Sequence, residues 1–475
     1  MSPGSTAAQN RTIPGGAGRT RGCLASRATA VIVPALDYPL IAIVATLLAV
    51  GLVEVYSASF MLYGSYFFTL QLWWIGVGVV VLFAMALIPF RFWQQAAVPI
   101  MAITLLLLVL VLLFGKDAYG ARRTLLAGRL QPSEFTKFAV VIYVAAWVAS
   151  KKKHLKDVRA GLIPFAIVMG VVGGLVVLEK SFSVTIVILI AGVAIFFLGG
   201  GDVKQLLITG LIAGAVLLLL IYKFNYGVLR IHEWWQALTD PNNAPYNVAQ
   251  VHEIIRRGGG IGTRPDNWLQ KDRVPLLWSD YLFANIAADF KFIGAMTVVV
   301  LFAALGYRGL SIGLSAPDEF GGLAGIGVTT WILAQAIVHM GTSVAMIPAT
   351  GIPLPFMSYG GSAMVASLAG VGLLLSISRA SPDKRAPYES FGLGWRNGRA
   401  RLSDPGSDER HAPARTSGKP RLRRRANLLT RIRRAVGPAR RERSHTSRED
   451  VGATVPKARP ARRRAADSRP GNARR

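Results

Sequence analysis

Ten stretches of roughly 20 mostly apolar residues recur along this chain, and that is the length a helix needs to cross a bilayer core of about 30 Å. They run approximately over Leu40 to Ser59, Tyr66 to Ile88, Ala96 to Phe114, Phe135 to Ser150, Gly161 to Leu178, Phe182 to Leu198, Val203 to Tyr222, Leu282 to Gly306, Phe320 to Val344 and Gly361 to Ser378. Lipid offers no partner for backbone N–H and C=O groups, so such runs must be helical. The expected fold is all-α: a polytopic membrane protein of about ten transmembrane helices. A composition of 52% hydrophobic and 17% charged residues excludes a purely soluble chain.

The net charge of +29 is concentrated at one end. From Arg379 to Arg475 there are 28 Lys/Arg against 9 Asp/Glu. The excess therefore belongs to a tail and does not point to nucleic acid. One cysteine, Cys23, excludes an internal disulfide framework and a multi-Cys zinc site, and the six histidines show no HExxH spacing. Carboxylates remain available to a metal.

Lys151-Lys152-Lys153-His154-Leu155-Lys156 follows the fourth span and the basic tail follows the tenth, which places both in the cytoplasm by the positive-inside rule. An even number of crossings puts the N-terminus, with Arg11, Arg19, Arg21 and Arg27, on the same side. The first apolar stretch is a full span preceded by more than thirty residues, so no cleavable signal peptide is expected. The predicted organisation is a basic cytoplasmic segment over 1–36, a transmembrane domain over 37–379 and a disordered polybasic tail over 380–475 resting on anionic lipid. Within the tail, Asn427 to Val436 places apolar residues near one helical face, either as part of that solvated, lipid-resting tail or as a docking helix for a cytoplasmic partner.

The same topology leaves about 223–281 outside as a large loop between helices 7 and 8. Trp234, Trp235, Tyr246, Trp268 and Trp278 suit a membrane interface. Ala244 to Arg257 reads as a short interfacial helix, followed by a flexible Gly258–Gly262 segment.

Four regions facing that side carry chemistry. The loop after the third span holds Lys116, Arg122, Arg123 and Arg129, an outward cationic cluster suited either to a lipid-linked phosphate or to ordinary headgroups. Glu134 and Lys137 lie three apart at the start of the fourth span, on one helical face, as functional groups or as an ion pair locking two helices. Asp280, where the chain re-enters the bilayer, is either a helix cap or a general base. Finally, 347–362 holds three prolines and three glycines among apolar side chains. Irregular backbone at membrane depth must be buried in protein or line a cavity.

Together these residues resemble the SEDS polytopic membrane proteins, the FtsW/RodA/SpoVE group. The resemblance rests on Val55-Tyr56-Ser57-Ala58-Ser59, Gly120-Ala121-Arg122-Arg123, Gln131-Pro132-Ser133-Glu134 with Lys137, Asp280 before Phe283, and Gly351-Ile352-Pro353-Leu354-Pro355-Phe356 with Ser358-Tyr359-Gly360-Gly361-Ser362. It implies ten helices in a bacterial inner membrane and a glycosyltransferase that polymerises lipid II into peptidoglycan strands, expelling undecaprenyl diphosphate. It also implies a class B penicillin-binding transpeptidase as partner, alongside other division or elongation membrane proteins. In that reading Asp280 is catalytic, as base or as ligand of a divalent cation, Mg or Mn. Arg122, Arg123, Glu134, Lys137, Pro353, Pro355, Ser358, Gly360 and Gly361 would bind substrate.

The chain departs from the family pattern at several outer polar positions. Trp278 stands for a His and Lys180-Ser181-Phe182-Ser183-Val184 for Pro-Asp-x-Gly-Thr; Ala288-Asp289 replaces an acidic pair, Lys291 a Gly and His339 an Asn. A lipid II flippase and an idle scaffold for the transpeptidase are the competing readings. Val55–Ser59 and the long tail lean toward the FtsW-like, division type over the RodA-like, elongation type.

Overall fold

In the computed structural model the described residues are 36–118, 121–124, 130–223, 225–240, 249–251, 253 and 274–381. All fall within one compact unit, Met1–Ala414; a second unit, Arg415–Arg475, lies outside them. The predicted N-terminal segment, the basic tail and its Asn427–Val436 helix lie outside the described residues, as does most of the predicted Ala244–Arg257 helix.

The helices are α1 (Tyr38–Tyr63), α2 (Tyr66–Leu87), α3 (Phe90–Gln95), α4 (Ala97–Phe114), α5 (Pro132–Lys151), α6 (Ile163–Leu178), α7 (Phe182–Gly199), α8 (Val203–Lys223), α9 (Asn225–Thr239), α10 (Leu282–Asp289), α11 (Lys291–Leu314), α12 (Glu319–Ser343) and α13 (Gly361–Ala380). A short antiparallel hairpin, β1 (Lys116–Ala118) with β2 (Ala121–Thr124), joins α4 to α5. Ten helical segments among the described residues are long and apolar enough to cross a membrane. Local signals set their ends. The Asp37 carboxylate accepts from Leu40 N at 3.2 Å to cap α1, and Gly200, at φ 115°, terminates α7 in the left-handed region that glycine adopts without strain.

The eighth span differs from the sequence reading. It is α11, Lys291–Leu314, rather than Leu282 to Gly306, because the chain breaks at Lys291, which takes φ 60°. The apolar run reads straight through this break, but its polar members are held elsewhere. Asn285 Nδ2 donates to Glu54 Oε2 at 2.7 Å, and Asp289 Oδ2 accepts from Ser57 Oγ at 2.7 Å. These bonds fasten α10 to α1 as a separate short helix. Part of the expected long loop is also regular, since α9 follows α8 after Phe224.

The middle of the bundle is α13, buried from Ser362 to Ser378 and packed chiefly on α2, with α5 and α12 alongside. At the other extreme, α8 buries only Leu206. Close approach sets the position of α1: a Cβ on Gly51 would collide with the Met357 Cα. Because that neighbour is backbone, it cannot swing aside. Gly51→Ala is therefore expected to destabilise the fold by about 1–3 kcal/mol through overpacking, read as a lowered thermal midpoint in detergent.

Candidate functional site

Helix α5 spans about 30 Å at 1.5 Å per residue. Its first turn carries Glu134 and its far end leads into Lys152, Lys153 and His154. The candidate site gathers at the Glu134 end, a bilayer thickness away from the lysine cluster.

Two irregular segments form its floor. The turn over 274–281 precedes α10, and the segment after α12 runs through 344–360. They are tied where Tyr359 N donates to the Trp278 carbonyl at 3.0 Å. Trp278 also stacks on Phe67 with ring centroids 4.8 Å apart and meets Tyr63 edge-on at 5.2 Å. Asp280 is half-buried at the end of this turn, its Oδ1 accepting from Ser279 Oγ at 3.0 Å.

Helix α9 straps the second segment from above. Arg230 Nη1 donates to the Ala349 carbonyl at 2.7 Å, and one helical turn later Trp234 Nε1 donates to the Ala345 carbonyl at 2.9 Å. Gly351, at φ 66°, marks where the two floors meet. A Cβ placed there would lie 3.5 Å from Asp280 Oδ2 and 3.9 Å from Arg230 Nη2. A carboxylate and a guanidinium thus converge on this glycine.

Beside this point lies a cavity of about 330 Å³. Its lining includes Gln131 just before α5 and Glu134 within it, Lys180 and Ser181 from the turn before α7, Phe182 and Ser183 from the start of α7, Arg230 from α9, Ile221 from α8, and the 347–352 segment.

The expected site residues divide into four sets. Asp280 and Glu134 reach this region. Lys137 is enclosed instead, with Nζ 2.6 Å from Glu134 Oε2 and 2.6 Å from Gln335 Oε1. Gln335 Nε2 in turn donates to the Pro353 carbonyl at 2.8 Å. Pro353, Pro355, Ser358, Gly360 and Gly361 sit behind the cavity in the wall against α2. Gln71 Nε2 donates there to the Met357 and Ser358 carbonyls at 3.3 Å, and a Cβ on Gly361 would strike the Trp74 indole. The backbones of Arg122 and Arg123 lie on β2, Arg122 opposite Asp117, while their side chains lie outside the described residues. Arg230 escaped the sequence reading, and Lys180 entered it only as a departure from the family pattern. The signal for Arg230 was the amphipathic pattern of Asn225–Thr239, masked by treating the segment as loop.

A helical bundle with an irregular, proline-rich wall beside a carboxylate can now be set against known proteins. The family described as "Cell cycle protein" (FtsW/RodA/SpoVE) matches residues 38–383. This chain belongs to the FtsW/RodA/SpoVE family.

Stage V sporulation protein E of Bacillus subtilis is 31% identical over 73% of this chain and 97% of its own length. The "Probable peptidoglycan glycosyltransferase FtsW" of Legionella pneumophila is 31% identical over 75% and 93%. A crystal structure of Thermus thermophilus rod shape determining protein RodA shares the fold at TM-score 0.57 and 26% identity, covering 73% of this chain and 98% of that one. A chain from a structure described as "Structural coordination of polymerization and crosslinking by a peptidoglycan synthase complex" matches at TM-score 0.63 and 26% identity, over 73% and 99%.

Within this FtsW/RodA/SpoVE member, the departures from the family pattern have defined places. Trp278 belongs to the aromatic floor under Asp280, Asp289 fastens α10 to α1, and His339 Nδ1 lies 2.7 Å from the Ile352 carbonyl. Lys180 and Ser181 line the cavity itself.

Proposed function

We propose that this protein is a peptidoglycan glycosyltransferase that polymerises lipid II, with its site on the extracytoplasmic face and both termini in the cytoplasm of a bacterial inner membrane. The observation that carries the reading is the convergence of the Asp280 carboxylate and the Arg230 guanidinium on Gly351, at the edge of a cavity in the bilayer-facing bundle. The names of the FtsW relatives support the activity. The lysine-rich end of α5, a bilayer thickness away, supports the orientation.

The transfer joins the 4-hydroxyl oxygen of one disaccharide to the anomeric carbon of another. As that bond forms, the bond from the anomeric carbon to the diphosphate oxygen breaks, and its electron pair leaves with undecaprenyl diphosphate. The hydroxyl proton passes to Asp280, held in orientation by Ser279. Arg230 places permanent positive charge where negative charge grows. Arg122 and Arg123, on the hairpin that leads into α5, would add to it. Lys137 lends no charge to the reacting atoms; its buried pair with Glu134 fixes the start of α5, and the Pro353–Gly361 wall holds the floor in place.

Among the described residues no three His, Cys, Asp or Glu side chains are grouped to hold a metal ion. A Mg or Mn ion would be held by Asp280 together with diphosphate oxygens, a common arrangement for Mg at phosphate sites. When bound it would neutralise charge on the leaving group.

A class B penicillin-binding transpeptidase is the partner this reading implies, since glycan strands must be cross-linked, and a division role is favoured by the FtsW names of the relatives. The test is to supply labelled lipid II to the purified protein in liposomes. The expected result is a ladder of glycan polymers. Translocated lipid II without polymer would replace this reading with a flippase.

A further inference from the structure

Glu54 is buried within α1, a helix long and apolar enough to cross the bilayer. An ionisable side chain at such a place is costly, and its partner indicates what the cost is for. Glu54 Oε2 accepts from Asn285 Nδ2 at 2.7 Å. One turn further along α1, Ser57 Oγ donates to Asp289 Oδ2 at 2.7 Å. Asn285 and Asp289 are themselves one turn apart on α10, so the two bonds form matched rungs between the helices. Asn285 Nδ2 also reaches Asp289 Oδ2, at 3.5 Å, which joins one rung to the other.

Helix α10 takes its position from tertiary contacts, because eight residues are too few for a helix that is stable alone. The segment that contains it lies between two non-glycine residues in the left-handed region, Leu276 at φ 57° and Lys291 at φ 60°. Strain of that kind persists only where the surroundings hold it. Leu282, Phe283, Ile286 and Ala288 are buried, yet apolar packing alone tolerates repacking, whereas a hydrogen bond has a set length and direction. Well-packed apolar residues would serve stability as well as a buried polar pair does. What the polar pair adds is a single register.

Asp280 lies inside this segment. Its backbone N donates to the Leu276 carbonyl at 2.9 Å, and Asn285 N donates to the Tyr281 carbonyl at 3.1 Å, so the turn carrying the carboxylate leads directly into the turn carrying Asn285. On the other side of Asp280, Trp278 meets Tyr63 at the end of the same helix α1. Helix α1 therefore grips the segment twice, by an aromatic contact before Asp280 and by the polar rungs after it.

We infer that Glu54 is a positioning residue for Asp280, a role that rests on the glycosyltransferase reading and deepens it. Through Asn285 it fixes the register of α10, and α10 fixes where the Asp280 carboxylate meets Gly351. Ser57 and Asp289 form the second rung. A displacement of about 1 Å at a catalytic group costs on the order of 10²-fold in rate, so a small slip of α10 is enough to matter.

The experiment measures lipid II polymerisation by the full chain in liposomes, as kcat per folded molecule and KM, with the thermal midpoint of each preparation. Glu54→Gln keeps an oxygen that accepts from Asn285 and should hold kcat within a few-fold of the unsubstituted protein. Glu54→Met removes that oxygen, and kcat per folded molecule should fall about tenfold or more with KM unchanged. A merely structural role would lower the midpoint and leave kcat per folded molecule as it was. Should Glu54→Met fail to fold, Ser57→Ala breaks only the second rung and should lower kcat per folded molecule a few-fold, with Ser57→Thr restoring it. Unchanged kcat per folded molecule in Glu54→Met, or in Ser57→Ala where the former does not fold, would overturn the role, as would equal losses in Glu54→Gln and Glu54→Met. If Asp280→Asn still slows polymerisation a hundredfold in that case, the glycosyltransferase reading stands and only the positioning role falls; normal polymerisation by Asp280→Asn removes the reading and the role together.

Discussion

Replacing Lys137 by Met is expected to cost about 3–5 kcal/mol of stability, the usual penalty for removing one partner of a buried ion pair. Lys137 and Glu134 have side chains only 1% and 3% exposed, at 2.6 Å from one another. The substitution leaves a carboxylate enclosed without its cation and breaks the bond to Gln335. That amide also accepts from Trp331 Nε1 at 3.1 Å and holds the Pro353 carbonyl, so α5, α12 and the wall of the site loosen together. Glu134→Gln combined with Lys137→Met removes both charges and should recover most of the loss, because the cost lies in the orphaned charge more than in the missing attraction. Thermal midpoints of the four proteins in detergent form the cycle that checks this. Equal destabilisation by the single and double substitutions would show that no such pair exists.

The fold was legible in the sequence because the solvent imposes it. Runs of about 20 apolar residues can only be helices in lipid, so all ten spans were readable, with nine close to their observed bounds. The eighth failed because hydropathy does not register where polar side chains find partners. Asn285 and Asp289 bond to α1, and the chain turns at Lys291 before the span begins. Helix α9 was missed for a related reason: its regularity comes from an amphipathic face docked on 345–349 through Arg230 and Trp234, and not from length or hydropathy.

The candidate site was legible where motif and position coincide, as for Asp280 and Glu134. It was not legible where a side chain's direction decides. Lys137 belongs to the same sequence motif as Glu134, yet its Nζ turns inward to Gln335. The Pro353–Gly361 block is as distinctive as any part of the sequence, but its residues build the wall rather than line the cavity. Arg230 lies fifty residues before Asp280, and only folding of α9 over the 345–351 segment brings the two to one glycine.

Asp280 carries the largest expected effect on activity. Asn has the same shape and still accepts a hydrogen bond from Ser279, but its amide is no base. Loss of general-base assistance slows a reaction by about 10²–10⁴-fold, and the half-buried position implies little change in folding. Asp280→Glu keeps the carboxylate and displaces it by about one methylene, so it should retain part of the activity, reduced by misplacement. The measurement that tests the account most directly is the rate of lipid II polymerisation by Asp280→Asn, with the thermal midpoint followed on the same preparation. The account predicts an unchanged midpoint with a rate lowered at least a hundredfold. Polymerisation by Asp280→Asn at the rate of the unsubstituted protein would contradict it.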